Sequence, residues 1–368
     1  AVKLAREELL ALHAALVAIP SVSGDEAAIS AFLAEFLAVR GVACERHGDS
    51  LLALAGEGPL LLLDSHLDTV PPAPGWQRPP FAATREGDRL YGLGANDAKA
   101  AVAALVAAFL ETAGATGGIT LGLALVAEEE TTNRGTQAIL ERLAARGLAI
   151  AGAVFGEPTG LDLAVAQKGL LLLELTAHGT AAHAAHARAL GAENAARRLA
   201  HDLVALDGLD LGPPHPELGS TTLEPTLLRA GEARNAVPAE ASALLDLRVV
   251  PGLATGELVA RVRGAVGGQV RVVSDRFAPR QTPPGSALLA AVRQARPAAR
   301  TYGSATLSDW ALLPPGVPGI KAGPGRSERS HTADEYVRDE ELVAGADFYA
   351  ALVRAFAAAP GPAGKEKG

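Results

Sequence analysis

Histidine, aspartate and glutamate residues follow apolar, strand-length segments at several points along the chain. These segments and the groups after them are residues 60–63 with His66 and Asp68, residues 119–127 with Glu128, Glu129 and Glu130, residues 151–155 with Glu157, and residues 319–321 with His331. The glycine-rich segment GLGANDAK adds a carboxylate at Asp97. Imidazole and carboxylate groups bind Zn, Co and Mn, whereas Cys44 is the only cysteine, so a thiolate cluster is excluded. The pattern predicts a mononuclear or dinuclear divalent metal site.

Each of these features has a simpler explanation when it stands alone. A histidine after a strand is more often a hydrogen-bonded core or loop residue than a ligand. A run of three glutamates is usually a solvated charge cluster, and a Gly-Glu-Pro sequence commonly forms a turn. The metal hypothesis depends on the combination, because all the groups fall at strand ends or at a helix start. The apolar surroundings would also make unpaired carboxylates costly.

Helices and buried strands alternate through the first 155 residues. Apolar periodicity predicts helices over 4–18, 23–40, 98–112 and 136–146, and strands over 42–45, 51–55, 60–63, 119–127 and 151–155. Ser23 and Glu26 form the Ser-x-x-Glu pattern of a capping box at the second helix. The alternation predicts an α/β fold with a mostly parallel sheet, in which ligands bind beyond the carboxyl ends of the strands.

The pattern changes after residue 166. Strand-like segments with polar interruptions, over 170–176, 220–229, 243–250 and 270–274, flank helices over 194–205 and 257–266. This predicts a small α+β domain with a one-sided antiparallel sheet. A helix over 286–293, a strand over 319–321 and a helix over 339–358 then resume the first pattern. We therefore predict a catalytic domain in two parts, 1–166 and 279–358, with an inserted domain at 167–278 and a flexible tail at 359–368.

Composition narrows the function classes. The 368 residues carry a net charge of −8, which disfavours nucleic-acid binding because that needs clustered Lys and Arg. No apolar run approaches the roughly 20 residues of a membrane span. The N-terminal segment is typical of an amphipathic helix rather than a signal peptide, so we expect a cytoplasmic protein without a membrane partner. The absence of Met and the scarcity of Asn fit either heat adaptation or GC-rich codon usage.

Five motifs in this order resemble the M20 family of co-catalytic metallopeptidases and deacylases. They are HLDTVP, GLGANDAK, the Glu-Glu pair, GEPT and SHTADEY. The family includes acetylornithine and succinyl-diaminopimelate deacylases, aminoacylases and carboxypeptidase G-type enzymes. The resemblance covers nearly the whole chain and implies a catalytic α/β domain with an inserted ferredoxin-like lid domain. That architecture agrees with the interruption described above.

The resemblance implies two metal ions per chain, with zinc favoured and cobalt or manganese as alternatives. The implied ligands are His66 and Glu157 for the first ion, Glu130 and His331 for the second, and Asp97 as the bridge. Asp68 is implied to orient the His66 imidazole, and Glu129 to act as general base. Asn96 precedes the bridging residue, where it could fix the backbone.

The glutamate run leaves two registers open. Placing Gly135 on the last glycine of the family pattern assigns Glu129 as base and Glu130 as ligand, which is the register we favour. A slip of one residue would move these roles to Glu128 and Glu129.

Other implied residues concern substrate and subunit contacts. His183, in a segment similar to the family's lid motif, is implied to stabilise the oxyanion, typically in the partner subunit of a homodimer. Asn235 resembles the residue that binds a substrate carboxylate. Gly323 lies in a Gly-Pro-Gly loop suited to close approach of substrate, and we expect Arg326 and Arg329 to form a basic patch near the site.

Within the family, the glutamate run and the Ser-His-Thr segment look most like hydrolases that release lysine, and sometimes ornithine, in lysine biosynthesis through α-aminoadipate. Their substrate is a small acidic amino-group carrier protein bearing the amino acid on its terminal γ-glutamyl group. The acidic net charge of this chain would repel such a partner, which is why a local basic patch is required. The alternatives are a small-molecule deacylase, acting on acetylornithine or succinyl-diaminopimelate, and a catalytically inactive binding module.

Overall fold

The computed structural model describes residues 2–359. They fall into two compact units. The first contains the chain up to Val165, Gln281–Tyr302 and the residues from Ser308 onward, and the second contains Ala166–Arg280 and Gly303–Leu307. The predicted boundaries at 167 and 278 lie within two residues of the main division. Of the predicted tail at 359–368, all but Ala359 lies outside the described residues.

The chain forms eight α-helices, two short 3-10 helices (Asp309–Leu312 and Ser327–Arg329) and eighteen strands within residues 2–359. The helices are α1 Arg6–Ala18, α2 Ala27–Ala38, α3 Lys99–Thr112, α4 Arg134–Ala145, α5 Ala195–Leu206, α6 Thr255–Ala265, α7 Ala287–Ala295 and α8 Asp339–Ala358. The strands are β1 Glu45–His47, β2 Ser50–Gly56, β3 Leu60–His66, β4 Thr84–Glu86, β5 Arg89–Tyr91, β6 Thr120–Val126, β7 Ile150–Phe155, β8 Leu163–Gln167, β9 Gly169–His178, β10 Ala182–His183, β11 Thr222–Ala230, β12 Ala236–Val237, β13 Glu240–Val249, β14 Gln269–Phe277, β15 Arg280–Gln281, β16 Thr301–Ser304, β17 Gly319–Lys321 and β18 Tyr336–Arg338.

A mixed sheet with a parallel centre organises the first unit. Its neighbouring strands run in the order β1, β2, β6, β3, β7, β17, β8, and the pairs β3–β6, β3–β7 and β17–β7 are parallel. Every residue of β3 and β6 is buried, as expected of strands covered on both faces. Nearly every residue of the alanine-rich helix α3 is also buried, because small side chains let it pack among its neighbours. The predicted α/β class is confirmed.

The second unit contains an antiparallel sheet in the order β11, β13, β9, β14. Strands β9 and β13 alternate buried and partly exposed residues, so only one face of the sheet is packed. Helices α5 and α6 cover that face through a core that includes Leu199, Leu245 and Leu258. Strand β11 lies at one edge and is almost entirely exposed.

The start of helix α2 differs from the prediction. Ser23 does not cap the helix, which begins at Ala27; its hydroxyl donates to the Asp68 carboxylate at 2.7 Å. Glu26 accepts hydrogen bonds from the Gly24 and Glu128 amides. The capping-box pattern is therefore used for contacts with residues far along the chain. Sequence periodicity also missed the short pairs β4–β5 and β10–β12, which are too brief to show a period.

The helices of residues 2–359 include none that is both long enough and apolar enough to cross a membrane.

Candidate metal centre

Parallel neighbouring strands bring the predicted ligands to one edge of the sheet. His66 is the last residue of β3 and pairs with Val126 at the end of β6, after which the glutamate run begins. Asp97 lies in the loop that precedes α3, and Glu157 follows β7. The carboxyl ends of these strands therefore meet where an open α/β sheet binds its ligands.

Asp97 lies between two imidazoles. Its Oδ1 is 3.2 Å from Nε2 of His66, and its Oδ2 is 3.7 Å from Nε2 of His331. Oε1 of Glu130 is 2.8 Å from the same His331 nitrogen. Ligand atoms of His66, Asp97 and Glu130 all lie within 4.8 Å of one another. One carboxylate with an oxygen toward each histidine is the donor arrangement that suits two divalent ions sharing a bridge.

Asp68 contacts both His66 and the glutamate run. His66 donates from Nδ1 to the Asp68 carbonyl oxygen at 2.9 Å, while the Asp68 carboxylate is 3.5 Å from that nitrogen. This fixes the imidazole so that Nε2 faces the cluster. The Asp68 carboxylate accepts the backbone N–H groups of Glu129 and Glu130, each at 3.0 Å. The side chain of Asp68 therefore positions the glutamate run, whereas its backbone carbonyl accepts the main hydrogen bond from His66.

The three glutamates point to different partners. Glu128 contacts the Thr132 hydroxyl, and its backbone amide donates to Glu26. The Glu130 carboxylate contacts the His331 ring. Glu129 is distinguished by its pKa, which burial raises well above the usual range of a glutamate, although the charge of His66 opposes the shift. These contacts favour the register with Glu130 as ligand and Glu129 as base, and the roles themselves stay predictions.

Glu157 belongs to the same electrostatic environment without joining the tight cluster. Burial raises its pKa to about 7, Lys321 opposes the shift, and Asp97 adds to it. Its ligand atoms are not among those within 4.8 Å of one another in the described part of the chain. Its role as a ligand of the first ion stays a prediction.

Acidic neighbours raise the pKa of both histidines. Burial alone would lower the pKa of His66, but hydrogen bonds with Asp68 and Asp97 outweigh it and raise that pKa well above its usual range. The hydrogen bond with Glu130 raises the pKa of His331 to about 9. Positive charge is thus favoured at both imidazoles, and a divalent cation would satisfy the same carboxylates.

The sequence did not reveal several residues that hold the Asp97 loop. Asn96, for which a backbone role was predicted, donates to the Arg326 carbonyl at 3.1 Å and accepts from the Arg326 amide at 2.8 Å. Glu335 was not predicted; its Oε1 accepts the amides of Asn96 at 3.0 Å and Asp97 at 3.4 Å. His13 and Lys99 also contact this region. The Asp334-Glu335 dipeptide, which begins three residues after His331, was the available signal for Glu335.

Two further carboxylates, Asp64 and Asp309, are buried. Burial raises the pKa of Asp309 to about 6 and that of Asp64 well above its usual range, and the charge of Asp309 raises the pKa of Asp64 further. Asp309 accepts a hydrogen bond from Asn133 at 3.0 Å. Asp64 directly follows the apolar run 60–63, and no apolar run of that kind precedes Asp309.

The predicted substrate residues have different surroundings. In the second unit, His183 pairs with Ala236 across β10 and β12, and the Asn235 carbonyl accepts from the Ala184 amide at 2.8 Å. The predicted lid histidine and asparagine are therefore neighbours. His183 is exposed, and its role in oxyanion binding stays a prediction.

The Gly-Pro-Gly loop and the basic patch differ from expectation. A Cβ on Gly323 would lie 2.6 Å from the Glu157 carbonyl, so the glycine is needed for packing against the Glu157 loop. Arg329 is not a free basic group, because both of its terminal nitrogens bind Glu341, at 2.7 and 3.0 Å. Arg326 keeps 57% of its side chain exposed, and its Nε lies 3.8 Å from Oε1 of the same Glu341.

Comparison with known proteins agrees with this geometry. The sequence model of peptidase family M20/M25/M40 matches residues 62–355. A succinyl-diaminopimelate desuccinylase of Methylobacterium sp. (strain 4-46) is 35% identical over 289 residues, covering 71% of this chain and 72% of that protein. A probable carboxypeptidase of Neosartorya fischeri is 34% identical over 304 residues, covering 72% and 67%.

A solved structure shares the fold. The Bacillus subtilis protein YXEP, described as a dinuclear metal-binding peptidase of the M20 family, superposes with a TM-score of 0.70 at 16% identity, covering 95% of this chain and 97% of that one. The family match spans most of the sequence and includes the residues gathered at the sheet edge. The chain belongs to peptidase family M20/M25/M40 and is a metallohydrolase of the M20 type.

Proposed function

We propose that this enzyme hydrolyses an amide bond between an acyl group and an amino acid, at a centre of two divalent metal ions. The observation that carries the proposal is the position of Asp97, with one oxygen toward His66 and the other toward His331. His66, Asp97 and Glu157 would hold one ion, and Asp97, Glu130 and His331 the other. Two such ions supply an activated water and polarise the carbonyl of the scissile amide.

Glu129 is the group suited to move the proton. Burial raises its pKa, so the carboxylate accepts a proton more readily than an exposed glutamate would. It would take the proton of the attacking water and pass it to the leaving amine. The Asp68 carboxylate accepts hydrogen bonds from the amides of both Glu129 and Glu130. It would thereby fix the backbone of the proposed base and of the adjacent proposed ligand.

For the substrate, we propose the lysine-bearing terminal γ-glutamyl group of a small acidic amino-group carrier protein, with ornithine as a second released amino acid. The support is the resemblance of the glutamate run and of the segment around His331, together with the largely exposed side chain of Arg326, whose backbone amide donates to Asn96. Arg326, although its Nε lies 3.8 Å from Glu341, offers an acidic chain a local positive charge that the net charge of −8 does not. Lysine biosynthesis through α-aminoadipate is the corresponding pathway, and a cytoplasmic site of action follows from it.

A second candidate is succinyl-diaminopimelate hydrolysis. This candidate is favoured by the relative from Methylobacterium that is named for that activity, because the alignment covers most of both chains. This substrate places a small dicarboxylic acyl group where the first proposal places a protein.

The deciding experiment is a release assay by mass spectrometry. Carrier-linked lysine, carrier-linked ornithine, acetylornithine and succinyl-diaminopimelate are each incubated with enzyme loaded with Zn, Co or Mn. We expect free lysine from the carrier at a kcat/KM at least tenfold above that for either small molecule. Faster release from succinyl-diaminopimelate would refute the carrier proposal and support the second candidate.

Metal loading separates an enzyme from an inactive binding module. We expect close to two bound ions per chain by elemental analysis after loading and dialysis. Fewer than one ion, together with no hydrolysis of any of the four compounds, would favour the binding module.

A further inference from the structure

Helix α1 carries a histidine that is deeply buried and far along the chain from every metal ligand. His13 has only 1% of its surface exposed and lies beside an apolar cluster that contains Val17, Leu90 and Ala95. A polar ring in such a place destabilises the fold unless it is hydrogen-bonded. His13 meets this requirement through a hydrogen bond from its ring to the backbone of a distant loop.

That bond reaches the loop of the bridging carboxylate. Nε2 of His13 is 2.8 Å from the carbonyl oxygen of Ala95. A carbonyl oxygen can only accept, so Nε2 carries the proton and donates it. Ala95 is two residues before Asp97, which stands between His66 and His331. The contact therefore acts on the backbone immediately before the bridge.

Helix α1 contacts this loop twice. Besides the His13 bond, Nζ of Lys99 donates to the carbonyl oxygen of Ile19, the residue that caps α1, at 2.8 Å. The segment from Ala95 to Lys99 is thus tied to the same helix at both ends. Asp97 lies at the middle of that segment.

A different side chain holds the loop between those two ties. Glu335 accepts the amides of Asn96 and Asp97, and it belongs to the segment that carries His331. Hydrogen bonds with α1 and with the His331 segment therefore hold the loop in place. The groups of a metal site must be placed to within about 0.5 Å to bind well, so loss of one of these hydrogen bonds would displace the Asp97 oxygens from between the imidazoles.

We propose that His13 is a positioning residue that sets the metal affinity of the centre by fixing the Ala95 carbonyl and thereby the Asp97 carboxylate. This rests on the metal centre of the proposed function. It assigns to the first helix a part in metal binding that none of its residues performs by direct contact.

The test compares two amide substitutions at one position. In His13→Gln the side-chain amide reaches about as far as Nε2 and keeps the donor, whereas in His13→Asn it is too short to reach Ala95. Leu9→Ala, a buried change on the same helix, is the control for general destabilisation. For the full chain, we would measure Co²⁺ affinity by competition with a chelator, the visible spectrum of the Co²⁺ form, and the free energy of unfolding without metal.

We expect His13→Gln to bind Co²⁺ within about threefold of the unsubstituted enzyme, and His13→Asn to bind on the order of tenfold more weakly with an altered spectrum. Leu9→Ala should unfold more easily yet keep its affinity within about threefold. Unchanged affinity in His13→Asn, weakened affinity in His13→Gln, or equal weakening in Leu9→Ala would overturn the proposal. If His13→Asn does not fold, the other two variants still decide. Failure of the unsubstituted enzyme to bind two ions would instead refute the proposed function.

Discussion

Replacing His13 by Gln should change how the stability of the metal-free enzyme depends on pH. Burial lowers the pKa of His13 from 6.5 to about 4; Lys99 and Arg85 lower it further, while the bond to Ala95 and the charge of Asp339 oppose the shift. The native state therefore favours the neutral ring. Glutamine retains a donor toward Ala95 and does not titrate, so the difference between the two proteins isolates the contribution of this one group.

The sign and size follow from the two pKa values. Because the folded-state pKa lies below the unfolded one, the contribution of His13 to stability is fully present above pH 6.5 and is lost as the pH falls toward 4. The loss should be about 2 kcal/mol at pH 5 and about 3 kcal/mol at pH 4, relative to pH 8. Other groups titrate in this range in both proteins, and their effects cancel in the comparison.

Urea denaturation of both proteins, in EDTA and followed by circular dichroism from pH 8 to pH 4, measures this difference. The unsubstituted enzyme should lose about 2 kcal/mol more than His13→Gln between pH 8 and pH 5. Parallel pH profiles would show that His13 titrates alike in both states and would refute the argument from its burial. A profile in which His13→Gln loses more would mean that the folded state binds the proton, contrary to the geometry.

The remaining predictions concern the site and the assembly. Glu129→Gln should abolish turnover and keep both ions, whereas Glu130→Gln should bind metal at least about tenfold more weakly, by calorimetric titration. Arg326→Glu should lower kcat/KM for the carrier substrate several-fold at low salt and leave acetylornithine hydrolysis unchanged; equal effects on both would exclude a role in partner attraction. We also propose a homodimer that forms through the exposed edge strand β11, where Leu228 is 62% exposed. Leu228→Asp should shift the mass from dimer to monomer in ultracentrifugation, and a monomeric unsubstituted enzyme would contradict this.

The sequence predicted the bounds of some elements and erred where polar residues continue an apolar strand. Helix α8 and strand β17 have the predicted bounds. Strand β3 was predicted to stop at residue 63, but it continues through Asp64 and Ser65 to His66. These polar residues are buried because the strand delivers them to the site, and hydropathy alone treats them as the start of a loop.

The residues that gather at the sheet edge were predictable, and the residues that hold them were not. His66, Asp97 and Glu130 lie in the motif HLDTVP, the segment GLGANDAK and the glutamate run, which occur in the order typical of the family. The contact of Ser23 with Asp68 and that of His13 with Ala95 join residues 45 and 82 positions apart. No local pattern encodes such a pairing, so Ser23 looked like a cap and His13 like an ordinary helix residue.

Local backbone rules are broken where the site is built. Among residues 2–359, non-glycine residues with positive φ include Glu128 at 61°, Asn133 at 55° and His331 at 58°. Each such conformation costs free energy and persists only where surrounding contacts fix it. Here those contacts are visible, because the Glu128 carbonyl accepts the Asn133 amide at 2.6 Å and Glu130 binds the His331 ring at 2.8 Å.

The strained backbone of the glutamate run also sets the direction of its amides. Left-handed residues at both ends of the segment from Glu128 to Asn133 allow the amides of Glu129 and Glu130 to point at the Asp68 carboxylate. A regular strand would direct two adjacent amides to opposite edges instead of to one carboxylate. The departure from strand geometry after β6 is therefore what lets a single carboxylate hold the backbone of both glutamates.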